Sequence, residues 1–143
     1  VVHQGLAGAS FATSCALHDL REPLPPRLRA RFDTVLTDPP YTVAGATLFL
    51  SRAVEALAGP GADVFLSFGS RRPDAAFHVQ QAISQAGLRI VRLLRDFNEY
   101  VGAGALGGTS SLYHLSASRE LRPLVETRYD GPLYTADPVL AGR

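Results

Sequence analysis

Short apolar runs alternate along the chain with segments of helical length. Apolar residues at helical spacing predict two helices, over residues 46–58 and 74–86, which Gly59 and Gly87 end. Such alternation is typical of an α/β domain, and it predicts a mostly parallel sheet. The runs that predict strands are residues 14–17, 33–37, 63–68, 88–94 and 110–116.

Two proline-containing stretches interrupt this pattern. Residues 18–26 are polar and rich in proline, which predicts a loop because proline cannot continue a sheet or a regular helix. From about residue 119 the periodicity is lost, which predicts an extended tail. The predicted organisation is therefore one α/β domain over residues 1–118, followed by a C-terminal tail over residues 119–143.

Composition is that of a single soluble domain. The chain has 143 residues, 46% of them hydrophobic, and no apolar run approaches the ~20 residues that a membrane span needs. The start at Val1 has neither Met nor a charged segment before an apolar one, so no signal peptide is expected. The lone Cys15 cannot form an internal disulfide, and we expect a buried thiol in a cytoplasmic protein.

Charge argues against nucleic acid as a partner. The formal net charge is +1, and the 14 basic residues, all arginine, are dispersed rather than gathered in a patch. The 4 histidines and the cysteine show no metal-ligand spacing, so we expect no metal site.

The most informative motif is Asp38-Pro39-Pro40-Tyr41, which follows the apolar run of residues 32–37. A carboxylate and a carbonyl held by proline can accept hydrogen bonds from an amine while leaving its lone pair free. Tyr41 can then form a pocket wall or stack on a flat substrate. The alternative is an ordinary Pro-Pro turn after a strand, in which Asp is common.

Two further groups are candidates for binding. The run from residue 96 to residue 100 combines carboxylates, an amide and aromatic rings, a composition suited to a polyamine or an aromatic base, although a solvated sheet edge has the same composition. Asp19 and Arg21 follow a predicted strand and offer a carboxylate and a guanidinium for a ligand, or simply a turn with a local ion pair. The candidate substrate-binding residues in the first group are Asp96, Asn98, Glu99 and Tyr100.

Several ordered motifs resemble the bis(aminopropyl)spermidine synthase family of branched-chain polyamine synthases, over roughly residues 18–135. They are residues 18–25, residues 32–42 with the Asp-Pro-Pro-Tyr motif, Gly45 with residues 48–53, and Asp96-Phe97-Asn98 with Tyr100. The resemblance implies a class I methyltransferase-like, Rossmann-like fold. It also implies transfer of an aminopropyl group from decarboxylated S-adenosylmethionine, as co-substrate, to the secondary amine of spermidine.

The same resemblance implies a role for each motif. Asp38 is expected to orient the attacking amine and Tyr41 to shape the pocket, with Pro39 and Pro40 contributing to substrate binding. Asp19 and Arg21 are expected near the adenine or ribose of the co-substrate. No general base can be chosen among the carboxylates.

The chain also departs from the family pattern. The family has a glycine- and aspartate-rich cofactor segment after its first strand and an additional N-terminal domain, and residues 1–12 contain no acidic residue. We therefore expect an incomplete sheet without its first strands, an enzyme whose activity needs the missing half, and a missing N-terminal half or a homodimer as partner. The alternatives are an amino-group methyltransferase that uses S-adenosylmethionine and a non-catalytic fragment.

Overall fold

The computed structural model describes residues 14–69, 73–99 and 108–134. Within these ranges a short 3₁₀ turn, Pro26–Leu28, precedes four strands and two helices. The strands are β1, Thr34–Thr37; β2, Asp63–Phe68; β3, Leu88–Glu99; and β4, Thr109–Ala117. The helices are α1, Val43–Ala56, and α2, Pro73–Gln85.

The four strands form one sheet in the order β1-β2-β4-β3. β1 and β2 are parallel, whereas β4 is antiparallel to both β2 and β3. The prediction of a mostly parallel sheet is therefore wrong for the described strands, which form a mixed sheet. The reason is that β4, the next described strand after β3, lies beside it, between β3 and β2, and neighbouring strands that follow one another in the chain commonly pair antiparallel. Within the described residues the ladder of β1 is formed with β2 alone.

The core lies between one face of the sheet and both helices. Alternate residues of β2 are buried, as expected for a strand with one covered face. The main contributors are Leu50, Val54, Val64, Leu66, Val79, Ile83 and Leu115. The opposite face has no helix over it in the described part of the chain, and there Leu36 is 78% exposed.

Most predicted elements are present with shifted ends. α1 begins at Val43 rather than residue 46, because the Thr42 side chain accepts a hydrogen bond from the Gly45 amide and caps the helix. β3 continues five residues beyond Leu94, to Glu99.

The predicted strand over residues 14–17 is wrong, since these residues form no strand. Cys15 is exposed, which also overturns the expectation of a buried thiol. Leu17 is fully exposed as well. A segment of four residues forms a strand only when a neighbouring strand and a covered face are available, and this segment has neither among the described residues.

Residues 118–134 contain no helix or strand, yet they are bound along α1. The Ser51 hydroxyl accepts hydrogen bonds from the amides of Leu124 and Val125. The buried guanidinium of Arg52 donates to the carbonyl oxygens of Val125 and Thr127. Separation of this segment from the α/β domain at residue 118 stays a prediction.

None of the helices described here is long and apolar enough to cross a membrane.

Candidate functional site

The Asp-Pro-Pro-Tyr motif forms the turn between the end of β1 and the start of α1. Pro39 is buried and Pro40 half-buried, so the two prolines fix the backbone against the body of the domain. The Pro40 carbonyl accepts a hydrogen bond of 2.7 Å from the Thr42 amide. Thr42 then caps α1, and the turn and the helix start are held as one unit.

Gly45 is required by this turn for a steric reason. A Cβ atom at this position would lie 2.6 Å from the Pro40 carbonyl oxygen. Atoms at that distance clash, so the close approach of α1 to the turn depends on the missing side chain.

The Tyr41 ring packs toward the core. It is half-buried, and its ring meets the Phe68 ring edge-on at 5.7 Å between centroids. The side chain is absent from the lining of the cavity described below. Within this structure Tyr41 therefore packs the motif against the core. Its predicted role in shaping the substrate pocket stays a proposal.

A cavity of about 360 Å³ opens on the uncovered face of the sheet, beside the end of β1. It brings together Asp38 and Asn98, two of the residues that the sequence nominated, although 60 positions separate them in the chain. Its lining is otherwise mainly apolar and aromatic. The lining residues are Leu36, Thr37, Asp38, Phe65, Ser67, Phe97, Asn98 and Leu112. A carboxylate and an amide in a mainly apolar cavity suit a ligand with N–H groups on a hydrocarbon chain.

An irregularity in β3 builds the wall of the cavity opposite Asp38. Leu94 pairs with Leu112 and Asn98 with Ser110, so four steps along β3 match two steps along β4. Asp96, within this bulge, has a φ of 50°, in the left-handed region that few non-glycine residues adopt. Bulges re-aim side chains, and this one contains Phe97 and ends at Asn98, which both line the cavity.

The Thr109 hydroxyl donates a hydrogen bond of 3.1 Å to the Asp96 carboxylate. This contact stabilises the strained backbone of the bulge from β4. Asp96 is exposed and does not line the cavity.

Two serines that sequence reasoning missed complete the site. The Asn98 amide nitrogen donates hydrogen bonds to the Ser67 hydroxyl at 3.0 Å and to the Ser110 hydroxyl at 2.9 Å. Ser67 lies on β2 and Ser110, which is 2% exposed, on β4. The one available signal was a hydroxyl near an end of each of two predicted strands, and it is too common to identify a site.

The remaining nominated residues lie elsewhere. The Asp19 carboxylate accepts a hydrogen bond from the Arg21 amide, and the Arg21 guanidinium donates to the carbonyl oxygens of Tyr129 and Gly131. Neither side chain lines the cavity. Glu99 is exposed at the end of β3, and Tyr100 lies outside the described residues.

On the open face, the His114 side chain contacts Phe65 and Asp63. The His114 ring stacks on Phe65 at 4.7 Å and its Nε2 lies 3.0 Å from the Asp63 carboxylate. Across residues 14–69, 73–99 and 108–134, no group of three or more His, Cys, Asp or Glu side chains is placed to hold a metal ion.

A mixed sheet with two helices on one face and a cleft at the end of β1 defines a partial methyltransferase-like α/β domain. The family follows from the sequence. Residues 7–133 match the branched-chain polyamine synthase A C-terminal domain, and the chain belongs to that family.

Similar proteins include two N(4)-bis(aminopropyl)spermidine synthases. The one from Thermococcus kodakarensis is 37% identical over 91 residues, and the one from Methanocaldococcus jannaschii is 35% identical over 91 residues. Each match covers 60% of this chain and 25% of the relative. An uncharacterized protein from M. jannaschii is 44% identical over 98 residues, which cover 68% of this chain and 25% of that protein. The chain thus spans about a quarter of the length of these relatives.

A solved structure has the same fold. The branched-chain polyamine synthase from Thermus thermophilus, in complex with N4-aminopropylspermidine and 5′-methylthioadenosine, superposes with a TM-score of 0.72 at 25% identity. The match covers 84% of this chain and 40% of that enzyme.

Proposed function

We propose that this chain is the C-terminal part of a polyamine synthase that transfers an aminopropyl group from decarboxylated S-adenosylmethionine to the secondary amine of spermidine. The observation that carries the proposal is the cavity in which Asp38 and Asn98 lie together among apolar and aromatic side chains. Spermidine has the matching chemistry, since its amines are separated by hydrocarbon segments. Family membership supports the same substrate class.

The ligands of the Thermus enzyme fit this reaction. 5′-Methylthioadenosine is what remains of decarboxylated S-adenosylmethionine after the aminopropyl group has left, and N4-aminopropylspermidine carries one added group. The deprotonated nitrogen attacks the aminopropyl carbon next to the sulfonium. A nitrogen–carbon bond forms and the carbon–sulfur bond breaks, and its electron pair stays on sulfur, which becomes a neutral thioether. The nitrogen then loses its extra proton.

Asp38 is the carboxylate best placed to assist this step. It lines the cavity, whereas Asp96 and Glu99 do not. We assign to Asp38 the orientation of the attacking amine and the acceptance of its proton, which then passes to water. Phe65 and Phe97 offer aromatic faces to the remaining ammonium groups.

Other roles belong to the proposal through the family resemblance. Asp96, Glu99 and Tyr100 would hold the outer amines of the polyamine. Asp19 and Arg21 would approach the nucleoside once it is bound, although the Arg21 guanidinium is already engaged with the carbonyl oxygens of residues 129 and 131. Pro39 and Pro40 would bind substrate through the backbone that they fix.

The proposal includes additional polypeptide beside this domain. The uncovered sheet face and the one-sided ladder of β1 leave apolar surface and backbone groups that a further strand and helices would satisfy. The N-terminal part of the synthase is the proposed occupant, and a second copy in a homodimer is the alternative. We place the reaction in the cytoplasm.

Product analysis tests the function. The longest natural polypeptide that contains this chain is incubated with decarboxylated S-adenosylmethionine and spermidine, and the products are analysed by mass spectrometry. We expect spermidine to gain the mass of one or two aminopropyl groups, with methylthioadenosine formed in equal amount. Absence of both products would contradict the proposal. Methyl transfer from labelled S-adenosylmethionine to an amino group would instead support the methyltransferase alternative.

A further inference from the structure

The amide of Asn98 is held in one orientation by two hydroxyl groups. Its nitrogen lies 3.0 Å from the Ser67 hydroxyl and 2.9 Å from the Ser110 hydroxyl, so both N–H hydrogens have acceptors. The carbonyl oxygen is the remaining polar atom of this side chain, and Asn98 lines the cavity. The serines come from two neighbouring strands, and Ser110 is almost fully buried. The side-chain amide is thus held by two hydrogen bonds, and the backbone of residue 98 is held by its pairing with Ser110.

We propose that Asn98 is the specificity-determining acceptor for the neutral amine, and that Ser67 and Ser110 are the positioning residues that keep its carbonyl oxygen toward the substrate. This inference rests on the proposed function and names a further group of the same site. A flipped amide would present two N–H donors to a ligand that itself carries N–H groups. In the observed orientation each hydroxyl accepts a hydrogen bond from the nitrogen, and a flip would require both hydroxyls to turn and donate instead.

The physical reason for an amide here concerns the charge of the reacting nitrogen. A carboxylate stabilises an ammonium and so raises its pKa, which removes the lone pair that must attack. An amide oxygen accepts a hydrogen bond without a full negative charge and favours the protonated amine far less. The protonated secondary amine has two N–H groups, so it can give one proton to the Asp38 carboxylate and keep its remaining N–H on the neutral Asn98 amide, whereas a second carboxylate would favour the protonated form.

The charges around Asn98 agree with a site that has one carboxylate and one neutral acceptor. Among the residues that the structure describes, Asp38, at the end of β1, is the one charged side chain that lines the cavity with it. β2 and β4 contribute to the lining Phe65, Ser67 and Leu112, none of which is ionisable. On β3 itself, the neighbouring ionisable side chains are Arg95, Asp96 and Glu99, none of which lines the cavity.

Asn98→Asp is the sharpest variant. It keeps the shape of the side chain, and the Ser67 and Ser110 hydroxyls can turn to donate to its carboxylate, so the fold is preserved. Spermidine binding to the natural polypeptide is measured by calorimetry between pH 6 and pH 9. A charged acceptor should bind the protonated polyamine about fivefold more tightly than the amide does. It should also move the pH at which aminopropyl transfer reaches half its maximum upward, because the bound amine is harder to deprotonate.

Positioning is tested by a double-mutant cycle. Ser67→Ala and Ser110→Ala should each weaken spermidine binding about fivefold in the wild-type background. Neither should have a further effect in the Asn98→Ala background, because the serines act through the amide. Ser116→Ala, a half-buried serine of β4 outside the cavity, is the matched control and should leave binding unchanged.

The failure of this inference is distinct from the failure of the proposed function. Three binding results would overturn the inference. The wild type does not bind spermidine, or Asn98→Asp binds it more weakly than the wild type does. The third is that the serine substitutions weaken binding equally with and without Asn98. An unshifted pH profile in Asn98→Asp would overturn it as well. Spermidine binding with the expected pattern, but without aminopropyl transfer, would uphold the acceptor role and overturn the reaction.

Discussion

The Thr42 hydroxyl donates a hydrogen bond of 2.8 Å to the carbonyl oxygen of Leu133, 91 residues further along the chain. The same hydroxyl accepts a hydrogen bond of 3.0 Å from the Gly45 amide at the start of α1. Thr42 directly follows the Asp-Pro-Pro-Tyr motif, and Leu133 is buried. The C-terminal segment is therefore attached to the turn that carries Asp38.

Thr42→Val tests this attachment. It keeps the shape of the side chain and removes both hydrogen bonds, so we expect the free energy of unfolding to fall by about 1–2 kcal/mol. Urea denaturation of wild type and variant measures the difference. Thr42→Ser retains the hydroxyl and should recover most of the loss; an equal loss in both variants would show that the methyl group matters rather than the hydrogen bonds.

For Gly45→Ala, the structure predicts a change in stability of opposite sign to the change that helix propensity predicts. Alanine in a helix is favoured over glycine by about 1 kcal/mol, so propensity alone predicts stabilisation. The clash with the Pro40 carbonyl oxygen predicts instead a loss of about 1–3 kcal/mol and a displaced Asp38 turn. Thermal unfolding checks the sign, and a variant more stable than the wild type would contradict the close approach.

The buried Arg52 joins three parts of the chain. It donates to the carbonyl oxygens of Leu20, Arg21, Val125 and Thr127, and pairs with Glu55 at 2.6 Å.

Arg52→Ala should destabilise the fold by roughly 3–5 kcal/mol, because the buried Glu55 carboxylate loses its ion-pair partner and keeps the hydrogen bond from the Leu24 amide, and several carbonyl groups lose a donor. Hydrogen exchange should show the largest loss of protection in residues 18–26 and 122–133. The exposed Arg89, on β3, provides the control: Arg89→Ala should leave exchange in both segments unchanged.

Ionisation of Tyr113 should destabilise the fold at alkaline pH. Burial in the core raises the pKa of its hydroxyl above the ordinary value, and the positive charge of Arg95 partly opposes this shift. A group whose pKa is raised on folding contributes stability that is complete below its unfolded pKa of about 10 and is lost as the pH rises through the folded pKa. Urea midpoints at pH 8 and pH 11 should therefore differ less in Tyr113→Phe than in the wild type. Equal differences in the two proteins would count against ionisation of this tyrosine.

Local patterns in the sequence were enough to predict most elements. β2 has the predicted limits, Asp63–Phe68, because its alternating apolar residues lie between Gly61 and Gly69. Both helices begin and end within three residues of their predicted limits. Glycine residues follow both helices and mark where they end. The loop over residues 18–26 is confirmed up to Pro26, which begins the 3₁₀ turn.

Contacts between distant residues were beyond prediction. The insertion of β4 between β2 and β3 depends on which edge accepts a strand, which no local pattern encodes. The bulge at Asp96 depends on Thr109, and the fixed orientation of Asn98 depends on serines of two other strands. For the site, sequence reasoning therefore nominated Asp38 and Asn98, but not the groups that position Asn98.

The central claim is that Asp38 serves aminopropyl transfer to a polyamine, and Asp38→Asn tests it most directly. The substitution keeps the shape of the side chain and removes its charge, and Asp33→Asn, an exposed carboxylate just before β1, is the matched control. The measurement is the initial rate of N4-aminopropylspermidine formation from decarboxylated S-adenosylmethionine and spermidine by the natural polypeptide. We predict that Asp38→Asn lowers this rate by about 10²–10⁴-fold and that Asp33→Asn retains the wild-type rate. Equal rates for Asp38→Asn and the wild type would contradict the account.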